Sequence, residues 1–343
     1  MRSVALFIGL LSSLAWAAPL TPEAKAVIPA GSGQIISIDY QMLRRFGAAM
    51  TLKEQVLPEN LKQFEVALKN IGVYPDSDLA TLTFGSFYDG KRAPHMVAVA
   101  SGSLSAISVL TQLRLHRLSP VKYRDYDLYP VSKNLVLAVL GEGSLLMGDP
   151  AGMRTVLVFR DNHAPTIDTN KDLSQIIKPI EKATVWSVLD QTSTQRLLIS
   201  ALGDDPKLAD VTRIKEKVFG SYFRMNFRGG IRFDMDVLTG DPVTSAALTS
   251  LLKMGILYKK IMANPAQKLA LDNVNVTSKR ISQDSVRSDL QMQFKANDQQ
   301  LQILLRSQCF RAISNERKEF SGFTSAVVSN DPEDVEVMSE RPE

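Results

Sequence analysis

Two strings, Asp234-Met235-Asp236 and Asp125-Tyr126-Asp127, each place a pair of carboxylates two residues apart. In an extended strand alternate side chains share a face, so each string presents both acids on one side. Paired acids can cleave glycosidic bonds or hold Ca²⁺ when their separation and a cleft suit. Asp234 and Asp236, however, stand beside Arg224 and Arg232, and cross-strand ion pairing on a hydrated sheet face is the expected role. His95, His116 and His163 are scattered, none in an H-E-x-x-H string, and the single cysteine, Cys309, cannot build a thiolate cluster. His95 at a strand start and His116 at a helix end read as solvated or capping side chains. The nucleophile elbow G-x-S-x-G is missing, so acyl transfer has no support. No catalytic, cofactor-binding or metal-binding residue is nominated.

A phosphate site is the other chemistry to weigh. "MGDPAGMRTVL" (147–157) and "TGDPVTSAALTSLL" (239–252) both follow strand-like residues. A phosphate cradle needs several backbone amides converging around glycines and a Lys, and no G-x-x-x-x-G-K-[ST] string is present. "GSGQII" (31–36) lacks the third glycine and precedes a strand instead of following one. Asp149-Pro150 and Asp241-Pro242 read instead as helix caps: the carboxylate accepts from a free first-turn amide, and Pro fits the first helical position because its missing donor was not needed.

The elements that position these residues follow from periodicity. Six times an extended apolar run leads through a small or polar residue into helical spacing. In the first half a strand at 35–39 leads to helical segments at 40–50 and 59–71, with Gly72 at the exit. Strands follow at 79–88 and 95–100, a helix at 103–116, extended runs at 123–131, 135–140 and 144–147, and a closing helix from 150. In the second half the order is a strand at 185–190, helical segments across 191–217, strands at 219–227 and 231–238, a helix from 242 to about 262, strands near 271–279 and 286–295, and a closing helix from 298. Matching the halves sets Asp39 against Asp190 and Asp149 against Asn297 or Asp298.

Side-chain parity around Gly229-Gly230 sets a register. Phe223, Met225 and Phe227 alternate with polar residues, as do Ile231, Phe233, Met235 and Val237. A two-residue loop would pair Asn226 with Phe233 and mix the faces. A three-residue loop pairs Phe223 with Met235 and Arg224 with Asp234, with Gly230 supplying the left-handed position. Such one-sided alternation predicts an antiparallel sheet with one face wet. The continuous run "LVLAVL" (135–140) predicts a strand that is central or covered on both faces. The fold class expected is α+β: two tandem β-α-β-β-α-β-β-α halves, largely antiparallel sheets, helices packed on one face.

The chain has 343 residues, is 45% hydrophobic and carries a formal net charge of +4. Its basic residues are dispersed among acids, which excludes a nucleic-acid footprint. One cysteine excludes an intramolecular disulfide framework. Met1–Ala17 has the charge, apolar core and A-x-A order of a secretory signal; the alternative is an N-terminal membrane anchor, for which the run is shorter than the ~20 residues a spanning helix needs. Four segments are expected: the signal at 1–17, a first α+β repeat at 18–165, a second at 166–306, and a polar, acidic C-terminal tail without a fixed fold at 307–343. The polar stretch 160–182, with Pro165 and Pro179, reads as the joint between halves. The helix at 243–263 is apolar around most of its circumference apart from Lys253, Lys259 and Lys260, which exclude a membrane span. It is expected to lie sandwiched in a core. The alternative is an exposed apolar surface or a cavity for an acyl chain.

"AVIPAGSGQIISID" (26–39), "NIGVYPDSDLATLTF" (70–84), "GSLLMGDPAGM" (143–153) and "LALDNVNVTSK" (269–279) together give the chain a resemblance to an uncharacterised family of exported bacterial proteins, met chiefly in Acidobacteria. That resemblance implies export and two tandem α+β halves, and brings no established activity or site residue. The function expected is an exported, periplasmic or secreted, non-enzymatic binding or scaffolding protein. Its partner would be a protein or an amphiphile, with no nucleic acid and no transmembrane segment once the signal is removed. The alternative is a carrier of lipid or another amphiphile in an apolar cavity between sheet and helices. A hydrolase without recognisable motif comes third.

Overall fold

The computed structural model describes residues 20–57, 59–88, 90, 94–202, 217–280 and 288–307. The segment Met1–Ala17, the acidic tail from 308 onward, Cys309 and the expected helical stretch 203–216 lie outside the described residues. Within them the chain is mixed α and β, built on one twelve-stranded antiparallel sheet.

The first half contributes β1 (Gln34–Asp39), β2 (Leu79–Phe87), β3 (His95–Gly102), β4 (Val121–Tyr123), β5 (Tyr126–Ser132), β6 (Leu135–Gly141) and β7 (Ser144–Gly148). The second contributes β8 (Val185–Leu189), β9 (Val218–Asn226), β10 (Ile231–Thr239), β11 (Val274–Arg280) and β12 (Ser288–Ala296). Spatial order across the sheet is β11-β12-β10-β9-β8-β1-β2-β3-β7-β6-β5-β4. Counted outward from the centre, the halves run β1-β2-β3-β7-β6 and β8-β9-β10-β12-β11, so they share one strand order once the β4–β5 hairpin is set aside. They join by antiparallel pairing of β1 with β8, Ile36 opposite Ser187. Asp39 N–H donates to Thr184 O at 2.8 Å and Asp190 N–H to Gly33 O at 2.9 Å, matching bonds at the two ends of that seam.

Register shows how the faces divide. Ile36 and Ile38 of β1 lie on the same face as Ser187 and Val185 of β8, which share it with Phe223 and Met225 of β9 and with Met235 and Phe233 of β10. That face carries helices along the whole sheet. Over the first half these are α2 (Tyr40–Leu43), α3 (Gly47–Val56), α4 (Glu59–Asn70) and α6 (Ala106–Leu115), which follows the short α5 (Pro75–Asp78). Over the second half they are α9 (Gln191–Leu202), α10 (Pro242–Met262), α11 (Pro265–Asp272) and α12 (Asp298–Arg306). Among the described residues the opposite face is covered over the first half and the adjoining β8, where Trp186 and Val188 are buried, by α1 (Pro22–Val27), α7 (Pro150–Asp161) and α8 (Lys171–Ile177). From β9 to β11 the sheet has helices on one face and mainly polar residues on the other, as its alternation requires. In β6, Leu135, Val136, Leu137 and Ala138 are all buried, with Leu137 facing one core and Val136 and Ala138 the other. The continuous apolar run is a doubly covered strand.

The stretch expected as a joint is packed structure. Thr166 bridges Pro29, a short 3-10 helix follows at Ile167–Thr169, and Ile167, Ile177 and Ile180 bury in the core shared with α1 and α7. Three well-spaced isoleucines among polar residues are enough to cover one sheet face. On the other face, Lys53 of α3 is buried against Glu65 of α4, 3.0 Å from Oε1, and reaches Asp76 Oδ1 at 3.0 Å. Tyr40 completes the cluster, its hydroxyl donating to Glu65 Oε1.

Candidate functional site

The residues first considered for chemistry occupy structural roles. Asp234 Oδ2 takes Arg232 Nε at 2.8 Å and Arg224 Nε at 3.3 Å, the cross-strand ion pair expected from the hairpin register. Asp236 is served separately, by Gln291 Nε2 at 3.1 Å. Burial raises the Asp236 carboxyl above the usual carboxylate range, Gln291 and Arg224 only partly opposing it, and burial pushes the neighbouring Tyr222 up to about 12. Asp125 and Asp127 are exposed on the β4–β5 hairpin, with Asp127 opposite Lys122. Gly33 packs against Asp190 and Ser193 at the foot of β1. Among the described residues no group of three or more His, Cys, Asp or Glu is placed to hold a metal ion.

Asp149 and Asp241 cap α7 and α10, accepting from Gly152 N and Thr244 N at 2.8 Å each, with Pro150 and Pro242 in the first turns. Sequence reasoning missed one partner of Asp149. His95 is buried, and its Nδ1 lies 2.8 Å from Asp149 Oδ1. Burial works against the Asp149 charge, but His95, Gly152 N–H and Met96 N–H outweigh it and hold the carboxyl below its ordinary range. His116 ends α6, and His163 follows α7 with φ 50°.

The feature that stands apart from structural duty is α10. Its first turns are held to the sheet: Thr244, Ser245, Leu248 and Thr249 are buried, and Ser245 Oγ meets Ser278 Oγ of β11 at 2.7 Å. Beyond Thr249, among the described side chains of α10, only Leu252 and Ile256 still pack against the core. Met254 (66% exposed), Leu257 (61%), Tyr258 (68%) and Ile261 (72%) project outward. Their spacing, i, i+3, i+4, i+7, makes one continuous stripe along the helix. This corrects the expectation of a helix sandwiched in a core. The helix lies on β11 and β12 between α9 and α11, and no described element lies over the side turned away from the sheet. Of the thirteen large apolar side chains that are exposed among the described residues, five lie on α10, Val243 being the fifth. The remaining eight are spread over the rest of the molecule. Single exposed apolar residues are ordinary; a stripe is not.

Cations accompany the stripe. Lys253 and Lys260 flank Leu257 on α10, with Lys259 farther round the same helix and Lys268 on the neighbouring α11, whereas Asp272 lies 2.9 Å from Lys260 Nζ. Between helix and sheet edge runs a groove of about 230 Å³, lined by Lys253, Ile256, Leu257, Lys260, Val274 and Val276 among others. Ile256, Leu257, Val274 and Val276 give it apolar walls, Asn275 adds a polar one, and Lys253 and Lys260 bring two ammonium groups. Such a surface can take an alkyl chain with an anionic end. Volumes of ~300–1,000 Å³ are usual where a small molecule is fully enclosed, so this groove suits partial contact. No helix among the described residues is long and apolar enough to cross a membrane.

No protein-family model matches the chain, and no curated protein matches it. Among solved structures the chain is similar to TP0453. Crystal form I aligns with TM-score 0.46 and 12% identity over 85% of this chain and 99% of that one. Crystal form IV aligns with TM-score 0.44 and 9% identity over 85% and 96%.

Proposed function

We propose that this chain is a non-enzymatic binding protein of the cell envelope that engages anionic lipids through the exposed stripe of α10. The observation that carries this reading is the stripe itself, four large apolar side chains in helical register accompanied by lysines and turned to solvent. Transferring such a side chain out of water contributes roughly 1.5–3 kcal/mol when burial is complete. Each lysine near an anionic bilayer adds about 1 kcal/mol. A helix of this kind lies in the interface plane with its apolar side among the acyl chains. The leader-like Met1–Ala17 supports placement outside the cytoplasm. The open groove favours contact with lipid at a surface over a carrier that encloses it.

Cosedimentation with vesicles tests the reading. The full chain should pellet with phosphatidylglycerol-containing vesicles, weakly with phosphatidylcholine alone, and the double variant Leu257→Asp/Ile261→Asp should stay in the supernatant while keeping its circular dichroism. Equal pelleting by the variant would sink the proposal.

A further inference from the structure

Taking α10 as the binding surface, we infer that the acidic segment 331–343 docks on that same face in the lipid-free protein and competes with lipid for it. The segment reads "DPEDVEVMSERPE": six acids and one arginine, with Val335, Val337 and Met338 set among the acids. It offers what the α10 face lacks, carboxylates beside apolar side chains. Lys253, Lys259 and Lys268 have no ion pair among the described residues, and Lys260 alone has Asp272. The open polar face of the second half also carries Lys279 and Lys295, but there Arg224 and Arg232 are already committed to Asp234, Asp236 stands beside them, and no exposed apolar stripe accompanies the cations among the described residues.

Reach permits the contact. The described chain ends just past α12, which packs on α11, which packs in turn on α10. Neighbouring helices lie about 8–10 Å apart, which puts α10 at roughly 20 Å from α12. The residues between Ser307 and Asp331 are numerous enough to span up to roughly 80 Å. A tether that matches the span raises the local concentration of its end to the millimolar range. Weak ion pairs and modest apolar burial then suffice for occupancy, and salt weakens it.

Zero-length carbodiimide cross-linking of the full, lipid-free chain, read by peptide mass spectrometry, tests the contact without any lipid. The result expected is intramolecular links from Asp331, Glu333, Asp334 or Glu336 to Lys253, Lys259 or Lys268, lost at high salt. Links to lysines elsewhere, no links, or links found only in a cross-linked dimer overturn the inference. Vesicle binding gives the second arm. A chain ending at Ser307, and a full chain carrying Asp331→Asn, Glu333→Gln, Asp334→Asn and Glu336→Gln, should both bind phosphatidylglycerol vesicles roughly tenfold more tightly than wild type. Unchanged binding in both overturns the competition. Cross-links as expected, with no vesicle binding by any form, would uphold the docked segment and reject the lipid reading.

Discussion

Substituting Lys53 by Met probes the energetics of the first half most sharply. Lys53 and Glu65 are 5% and 4% exposed, so neither charge is hydrated. The ammonium lies 3.0 and 3.1 Å from the two Glu65 oxygens, 3.0 Å from Asp76 Oδ1 and 5.1 Å from the centre of the Tyr40 ring. Burial alone would lower the Lys53 pKa, but Glu65 and Asp76 outweigh it and the pKa is raised. A raised lysine stabilises the fold fully below its unfolded pKa and loses that contribution only as pH climbs through the folded value, so the pair is at full strength at pH 7. Met keeps most of the buried stem and removes the charge. Glu65 is then left with the Tyr40 hydroxyl as its donor. Breaking a buried pair from one side costs about 3–5 kcal/mol. Urea unfolding followed by circular dichroism should show a lower midpoint with an unchanged slope. The double variant Lys53→Met/Glu65→Leu should recover part of the loss, because no uncompensated charge remains, although the Tyr40 hydroxyl loses its acceptor at about 1–3 kcal/mol. A single variant costing under about 1 kcal/mol, or a double variant as weak as the single, would refute this reasoning.

Three further outcomes follow from particular sites. Gly230→Ala places a Cβ 2.2 Å from Ala296 O at φ +116° and should cost about 2–4 kcal/mol in urea unfolding, from strain and overpacking together. Gly229→Asn, at φ +72° with nothing near its Cβ, should stay within about 1 kcal/mol of wild type; equal effects at the two positions would contradict the hairpin geometry. Asp236 has a raised folded pKa, so the folded state takes up its proton first and the wild type gains stability as pH falls through that value. Asp236→Asn should flatten that gain in thermal melts between pH 7 and 4, and an unaltered pH dependence would count against a buried carboxylate there.

Much of the fold was legible because its causes are local. Parity around Gly229-Gly230 specified the β9–β10 register, and the structure pairs Phe223 with Met235 and Arg224 with Asp234 as that parity demands. Asp149, Asp190 and Asn297 announced helix starts because each side chain accepts from an amide three residues on. Long-range facts had no such signal. The β1–β8 seam joins strands about 150 residues apart, and neither strand's composition names its partner. Asn264-Pro265 opens α11 with a capping box, yet the apolar alternation beyond it drew the residues near 271 into a strand. Stripe and lysines of α10 are both plain in the string. Whether a nearly all-apolar helix is covered depends on whether another layer lies over its outer side, which periodicity does not encode.

The central claim is that the α10 stripe meets lipid. In a Cys309→Ser background, an environment-sensitive fluorophore on Leu257→Cys should shift to the blue and brighten when phosphatidylglycerol vesicles are added. The same label on Ile107→Cys, 74% exposed on α6, should not respond. No shift at position 257, or an equal shift at both positions, would contradict the account.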